Sequence, residues 1–172
     1  MYQVADGRDE RGAKHNIRIV MTQPDSDFLL RDTNALSNDR IGATVIYDES
    51  TVFYDVGVKL KGSERGRAIE VRRSFNLRFH PDELFRGVHE TIAIDRSGAG
   101  NQYSQKEILV KHIVNHAGDI PGSYDDLIHV ITPEDTHTGS AMLMMARYND
   151  VFLDSQFTDG GDGNLYEYEL VY

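Results

Sequence analysis

The chain has 172 residues, 40 % of them hydrophobic and 27 % charged, with 4 prolines and no cysteine, a composition that suits one globular domain large enough for its own core. Its formal net charge of −10 argues against a general nucleic-acid binder, and the missing cysteines exclude disulfides, thiolate metal sites and a cysteine nucleophile. No apolar run approaches the roughly 18–20 residues of a membrane span, and no signal peptide opens the chain.

Residues 1–14 read as a loose polar lead-in, and 15–172 as a single domain. Ile17–Met21 is apolar enough for a strand, and Gln23-Pro24-Asp25 then turns into a short helix predicted at Ser26–Arg31. Asp32–Arg40 is loop-like. Ile41–Tyr47 and Thr51–Lys61 form a predicted hairpin about the turn Asp48-Glu49-Ser50, with Val52, Tyr54, Val56, Val58 and Leu60 expected on one side. A glycine-containing loop, 62–67, leads to a strand over Arg72–His80, in which Phe75, Leu77 and Phe79 alternate. A turn at Pro81–Gly87 precedes a short buried strand, Thr91–Asp95.

The stretch 103–118 carries the clearest helix signals. Ser104 and Glu107 have the spacing of a capping box, Tyr103 and Ile108 that of a hydrophobic staple, and Gly118 sits where a C-terminal cap is wanted. Leu109, Ile113 and Ala117 share a face, flanked by Ile108, Val110 and Val114, which predicts an apolar stripe buried on a sheet. Strands follow at Leu127–Thr132 and Ser140–Arg147, then a short helix over Asn149–Phe157, a turn at Thr158–Gly163 and a last strand over Asn164–Tyr172. That strand runs off the end of the chain, so the domain is expected to be a fragment of a longer one. The predicted fold is α+β: a twisted, mainly antiparallel sheet with one principal helix, about 104–117.

Charge is uneven along the chain. Residues 59–86 hold eight basic and four acidic side chains, so a basic island stands in an acidic background. It reads either as an anion site or as the solvated side of a hairpin. Gly62, Ser63, Arg65, Gly66 and Arg67, with Arg72 and Arg73 one strand later, supply the backbone donors and positive charge that phosphates require. The loop is not a Walker sequence, and a plain hairpin loop accounts for it equally.

Several blocks in order resemble the CotH family, the spore-coat protein H type of atypical protein kinase. They are Val56-Gly-Val-Lys-Leu-Lys-Gly-Ser63, Arg72-Arg-Ser-Phe-Asn-Leu-Arg-Phe79, Leu84-Phe-Arg-Gly87, Ile92-Ala-Ile-Asp95, Lys106-Glu107, Gly118-Asp-Ile-Pro121, Phe152-Leu153 and Asn164-Leu-Tyr166. The resemblance covers about 41–172. It implies the amino-terminal lobe of a kinase-like fold, ATP with Mg as cofactor, and phosphoryl transfer to protein hydroxyls once a carboxy-terminal lobe is supplied. It also implies a bacterial exported or cell-surface protein, with a protein substrate or neighbouring domains as partners. Arg72 and Arg73, Gly62, Ser63, Arg65 and Arg67 would form the phosphate side, with Glu107 as the helix glutamate that pairs with a phosphate-binding cation. The family has a lysine where this chain has Arg72-Arg73, which changes a compact ammonium into a planar fork. No catalytic-loop Asp or metal-binding Asp-Phe-Gly equivalent occurs, so no catalytic residue is identified. The alternative is a catalytically inactive structural or adhesion module of a large exported bacterial protein, and a third reading is a carbohydrate- or partner-binding β-rich domain.

Other candidates have weaker chemistry. Glu107 is already explained by its cap position. His112 and His116, at i and i+4, share a helix face, but no third metal ligand is evident. Asp159, Asp162 and Asn164 lack EF-hand spacing and read as a tight turn. Ser97 and Ser123 have no triad partners in the sequence around them.

Overall fold

The computed structural model describes residues 15–31, 34, 37–62, 72–96, 103–118 and 120–166. Seven strands are β1 (His15–Val20), β2 (Ile41–Tyr47), β3 (Thr51–Leu60), β4 (Phe75–Arg78), β5 (Thr91–Asp95), β6 (Asp125–Ile131) and β7 (Gly139–Ala146). They close into a barrel in the order β1-β2-β3-β4-β5-β7-β6. Every neighbouring pair is antiparallel except β1 and β6, which run parallel with His15 opposite Ile128 and Arg18 opposite Ile131. This overturns the α+β expectation. The sheet closes on itself, so the chain is not an open sheet under one principal helix, and it is not a kinase-type lobe.

The barrel fills its own interior. Ile17, Val45, Val58, Leu77, Ile94, Val130 and Met142 are fully buried in one cluster drawn from all seven strands. Burial of each such side chain contributes about 1.5–3 kcal/mol. Among the described residues three α-helices decorate the barrel: α1 (Gln23–Leu30), α2 (Tyr103–Gly118) and α3 (Asp150–Gln156). Thr22 caps α1 by accepting from the Asp25 amide, so Gln23-Pro24-Asp25 forms the first helical turn rather than the turn expected before it. Leu29 and Leu30 of α1 join the barrel core.

The helix 103–118 has the predicted extent, but its faces are reversed. Ile108, Lys111 and Asn115 are half-buried, while Leu109 (56 %), Val110 (57 %) and Ile113 (51 %) stand exposed. Lys111 Nζ lies 2.7 Å from Asp125 Oδ2, and Asn115 Nδ2 donates to the Ile120 carbonyl at 3.0 Å. The reason is topological. β5 and β6 run in the same direction on either side of β7, so the chain must cross over, and α2 packs against β6 and β7 as that connector. It meets polar groups on the barrel wall, not an unfilled core.

Two bulges shift the strand phase. Tyr54 and Asp55 of β3 oppose the single residue Thr44, and Asp55 has φ 52°. Phe53 therefore turns inward with Val56, Val58 and Leu60, while Tyr54, expected on their side, is exposed. In β7, Ser140 and Ala141 oppose His129 alone, and Ala141 has φ 54°. Asn164–Tyr166 forms no strand, and the rest of the expected last strand lies outside the described residues.

A left-handed alanine costs about 1–2 kcal/mol relative to its ordinary conformation, while glycine adopts it without strain. Ala141→Gly should therefore raise the urea midpoint slightly, by up to about 1 kcal/mol, and Ala141→Val, branched at a positive φ, should lower it by more than that. A lowered midpoint for the glycine variant would contradict the bulge conformation.

Candidate functional site

The strand directions sort the polar residues to the two ends of the barrel. One end gathers the starts of β1, β3, β5 and β6 with the ends of β2, β4 and β7. The other gathers the opposite termini, including the segments that follow Leu60, precede Phe75 and follow Asp95.

The first end is closed by a hairpin tip. Phe85 pairs with His89, and Arg86 and Gly87 between them have φ of 51° and 75°, the signs of a type I′ turn. Phe85 is fully buried, edge-on to Tyr47 and stacked on Phe79. Arg86 follows it inward. Its Nη2 donates to Tyr47 Oη at 2.7 Å and approaches Asp126 Oδ2 at 3.4 Å, and Nη1 donates to Tyr124 Oη. The guanidinium lies over the rings of Tyr47, Phe85 and Tyr124. His15 continues the network, with Nδ1 2.7 Å from Asp48 Oδ2 and 2.8 Å from Tyr47 Oη. Burial alone would lower the Arg86 pKa, but the oxygens of Tyr124, Tyr47 and Asp126 reverse this and raise it. Burial pushes the Tyr47 phenol up to about 12, against the opposing pull of Arg86. Every polar group of Arg86 faces an acceptor or an aromatic ring, so the network acts as a plug.

The second end holds the sequence-predicted cations. Arg73 is 2 % exposed. The Arg72 guanidinium lies close to Gly139: a Cβ at that glycine would come within 2.5 Å of it, so a larger residue there would push the guanidinium aside. Arg72 Nε is buried with no hydrogen-bond partner among the described residues, and so is His137 Nδ1. His137 comes from a short 3₁₀ turn, Asp135–His137, in the link between β6 and β7. Its pKa is lowered, first by burial and then by the neighbouring charges of Arg73 and Arg72. Glu134 Oε2 is 3.9 Å from His137 Nε2. Lys61 pairs with Asp95, and Arg96 Nη1 donates to the Arg72 carbonyl at 3.4 Å.

The structure therefore brings Arg72 and Arg73 together and adds His137, which no sequence signal marked. Gly62 closes β3 with φ 117° at this end. Ser63, Arg65 and Arg67 lie outside the described residues. Glu107 stands exposed on α2. No group of three or more His, Asp or Glu side chains suited to a metal ion occurs among the described residues. No described helix is long and apolar enough to cross a membrane.

Among known proteins, no family model matches the chain. No curated protein is significantly similar to it.

The plug has a pH signature. A phenol raised above its ordinary value of 10 holds its proton longer in the folded chain than in the unfolded one. Its stabilising contribution is complete below pH 10 and is lost as pH rises towards about 12. Unfolding free energy should fall across that window, and Tyr47→Phe should remove this part of the fall. The variant should also lose about 1–3 kcal/mol at neutral pH, because Arg86 loses an acceptor. Denaturant titrations at neutral and alkaline pH, run on both proteins, measure both effects.

Proposed function

We propose that the chain is a non-catalytic β-barrel binding module, of the kind expected in large exported bacterial proteins. Its Arg72, Arg73 and His137 end takes an anionic, phosphate-class ligand. The observation that carries this reading is the burial of Arg72 Nε and His137 Nδ1 with no hydrogen-bond partner among the described residues, beside the buried Arg73. A buried donor without an acceptor costs roughly 1–3 kcal/mol, more when it is charged. An oxyanion supplies acceptors and opposite charge in one group, and a planar guanidinium suits it by its fork of donors. The resemblance to CotH contributes one candidate ligand, ATP with Mg. Phosphoryl transfer is not part of the proposal, because the kinase-type lobe that implied it is not the fold.

The test is thermal melting and calorimetric titration with sulfate and with Mg-ATP. Ligand at about 100 times its dissociation constant stabilises by about 2.7 kcal/mol, which raises the melting temperature of a chain this long by about 5–10 °C. Arg72→Gln should abolish the shift. That variant also separates site binding from the general stabilisation that sulfate gives any protein. A shift with sulfate but not with Mg-ATP assigns a small oxyanion, and no Arg72-dependent shift with either overturns the reading.

His137 adds a pH dependence. A bound anion favours the imidazolium, so sulfate, whose charge is constant in this range, should bind more tightly at about pH 5.5 than at about pH 7.5. His137→Asn should flatten that dependence, as read by the calorimetric dissociation constants.

A further inference from the structure

The exposed surface of α2 carries a pair of histidines, His112 and His116. His112 and His116 are one helical turn apart, and their ring centroids are 4.1 Å apart with the planes tilted by 33°. Both are exposed, on the flank of the helix next to the half-buried Ile108, Lys111 and Asn115. His116 Nδ1 lies 2.9 Å from the His112 carbonyl oxygen, which can only accept. Nδ1 therefore carries the proton in the neutral ring, and the lone pair belongs to Nε2. A backbone carbonyl that fixes the tautomer in this way is the usual support of a metal-ligating imidazole.

From this geometry we propose that His112 and His116 form a two-imidazole site for a divalent transition-metal cation, with water completing the coordination. Two nitrogens bound to one such ion, each at about 2.0–2.1 Å, stand about 3 Å apart. Rings already in contact reach that separation by small side-chain rotations. Two imidazoliums this close repel each other, whereas one metal ion between two neutral rings removes the repulsion. The lowered pKa of His112, from desolvation and then from the charge of His116, agrees with this cost of double protonation. Imidazole pairs favour borderline cations over hard ones, so the expected order is Cu²⁺ ahead of Ni²⁺ and Zn²⁺, with Mg²⁺ and Ca²⁺ excluded.

The chain has 7 histidines, so the experiment must assign the site as well as detect it. Calorimetry with Cu²⁺, Ni²⁺ and Zn²⁺ salts on the intact chain should give one ion per chain. His112→Asn and His116→Asn should each weaken binding at least tenfold, and the double variant should lose little more than either single one, as expected of a chelate. His80→Asn, at another exposed histidine, should leave the affinity unchanged. Binding should weaken as the solution is made acidic, because protons compete with the metal for the ring nitrogens. All these positions are exposed, so an unchanged melting temperature of the metal-free variants confirms that they fold. Affinity indifferent to His112→Asn and His116→Asn, or no binding of any of the three ions up to about 1 mM, overturns the proposal.

Discussion

The pairing of β1 with β6 holds the rest of the structure in place. Seven strands cannot alternate in direction all the way round a closed sheet, so one neighbouring pair has to be parallel. Here that pair joins the first described strand to the sixth, His15 beside Ile128 through Arg18 beside Ile131. A parallel pair cannot be closed by a short hairpin, so this contact spans the longest sequence separation in the barrel. Without it, β1 and β6 become open edges with unpaired backbone groups. The core also opens, since Ile17 and Ile19 on one side meet Ile128 and Val130 on the other.

Closure by itself leaves two open ends, and the chain seals them differently. At the first, the hairpin tip turns Phe85 into the aromatic cluster and lays the Arg86 guanidinium across it, with Tyr47, Tyr124 and Asp126 as acceptors. A buried charge is tolerable only when it is paired and hydrogen-bonded, and here the residues that satisfy it come from β2, β6 and the approach to β6. The plug therefore ties distant strands together. Asp48 belongs to the same tie. Burial raises its pKa, but the Asn16 amide and His15 outweigh this and hold it below its ordinary value. At the second end α1 contributes Leu29 and Leu30 to the core, and the remaining rim is basic.

Local signals were legible in the sequence where each residue acts within its own segment. The β2–β3 hairpin, β5 and the extent of α2 follow from alternation, turn residues and capping. Phase and faces did not follow, because they depend on partners elsewhere. Tyr54 alternates correctly with Val56 in sequence, yet the bulge at Asp55 sends it to solvent. Leu109, Val110 and Ile113 form an apolar stripe that periodicity assigns to a core. The barrel, however, has already filled its core from its own strands, and the wall beneath α2 presents Asp125 and Ser123, which Lys111 meets. Closure itself is invisible to a local reading, since nothing in His15–Val20 names β6 as a neighbour. The cations Arg72 and Arg73 were legible as a charge cluster; His137 was not, because it reaches them only through the link between β6 and β7.

The contrast between the ends also separates a structural cation from one available to a ligand. Arg86 and Arg73 are both buried arginines in a chain of net charge −10, so overall electrostatics does not distinguish them. The neighbours do. Arg86 is matched by two phenol oxygens and a carboxylate, and its pKa rises in consequence. Beside Arg72 and Arg73 lies another base, His137, whose pKa falls through burial and then through the charges of Arg73 and Arg72. Positive groups that depress a neighbouring base generate a local positive field, and a low-dielectric rim focuses such a field instead of screening it. Fold stability alone favours acceptors in that position, as the Arg86 plug shows at the opposite end. Arg72 Nε and His137 Nδ1, buried without hydrogen-bond partners among the described residues, with glycine at position 139 beside the Arg72 guanidinium, are the arrangement expected when the missing acceptors arrive with a ligand.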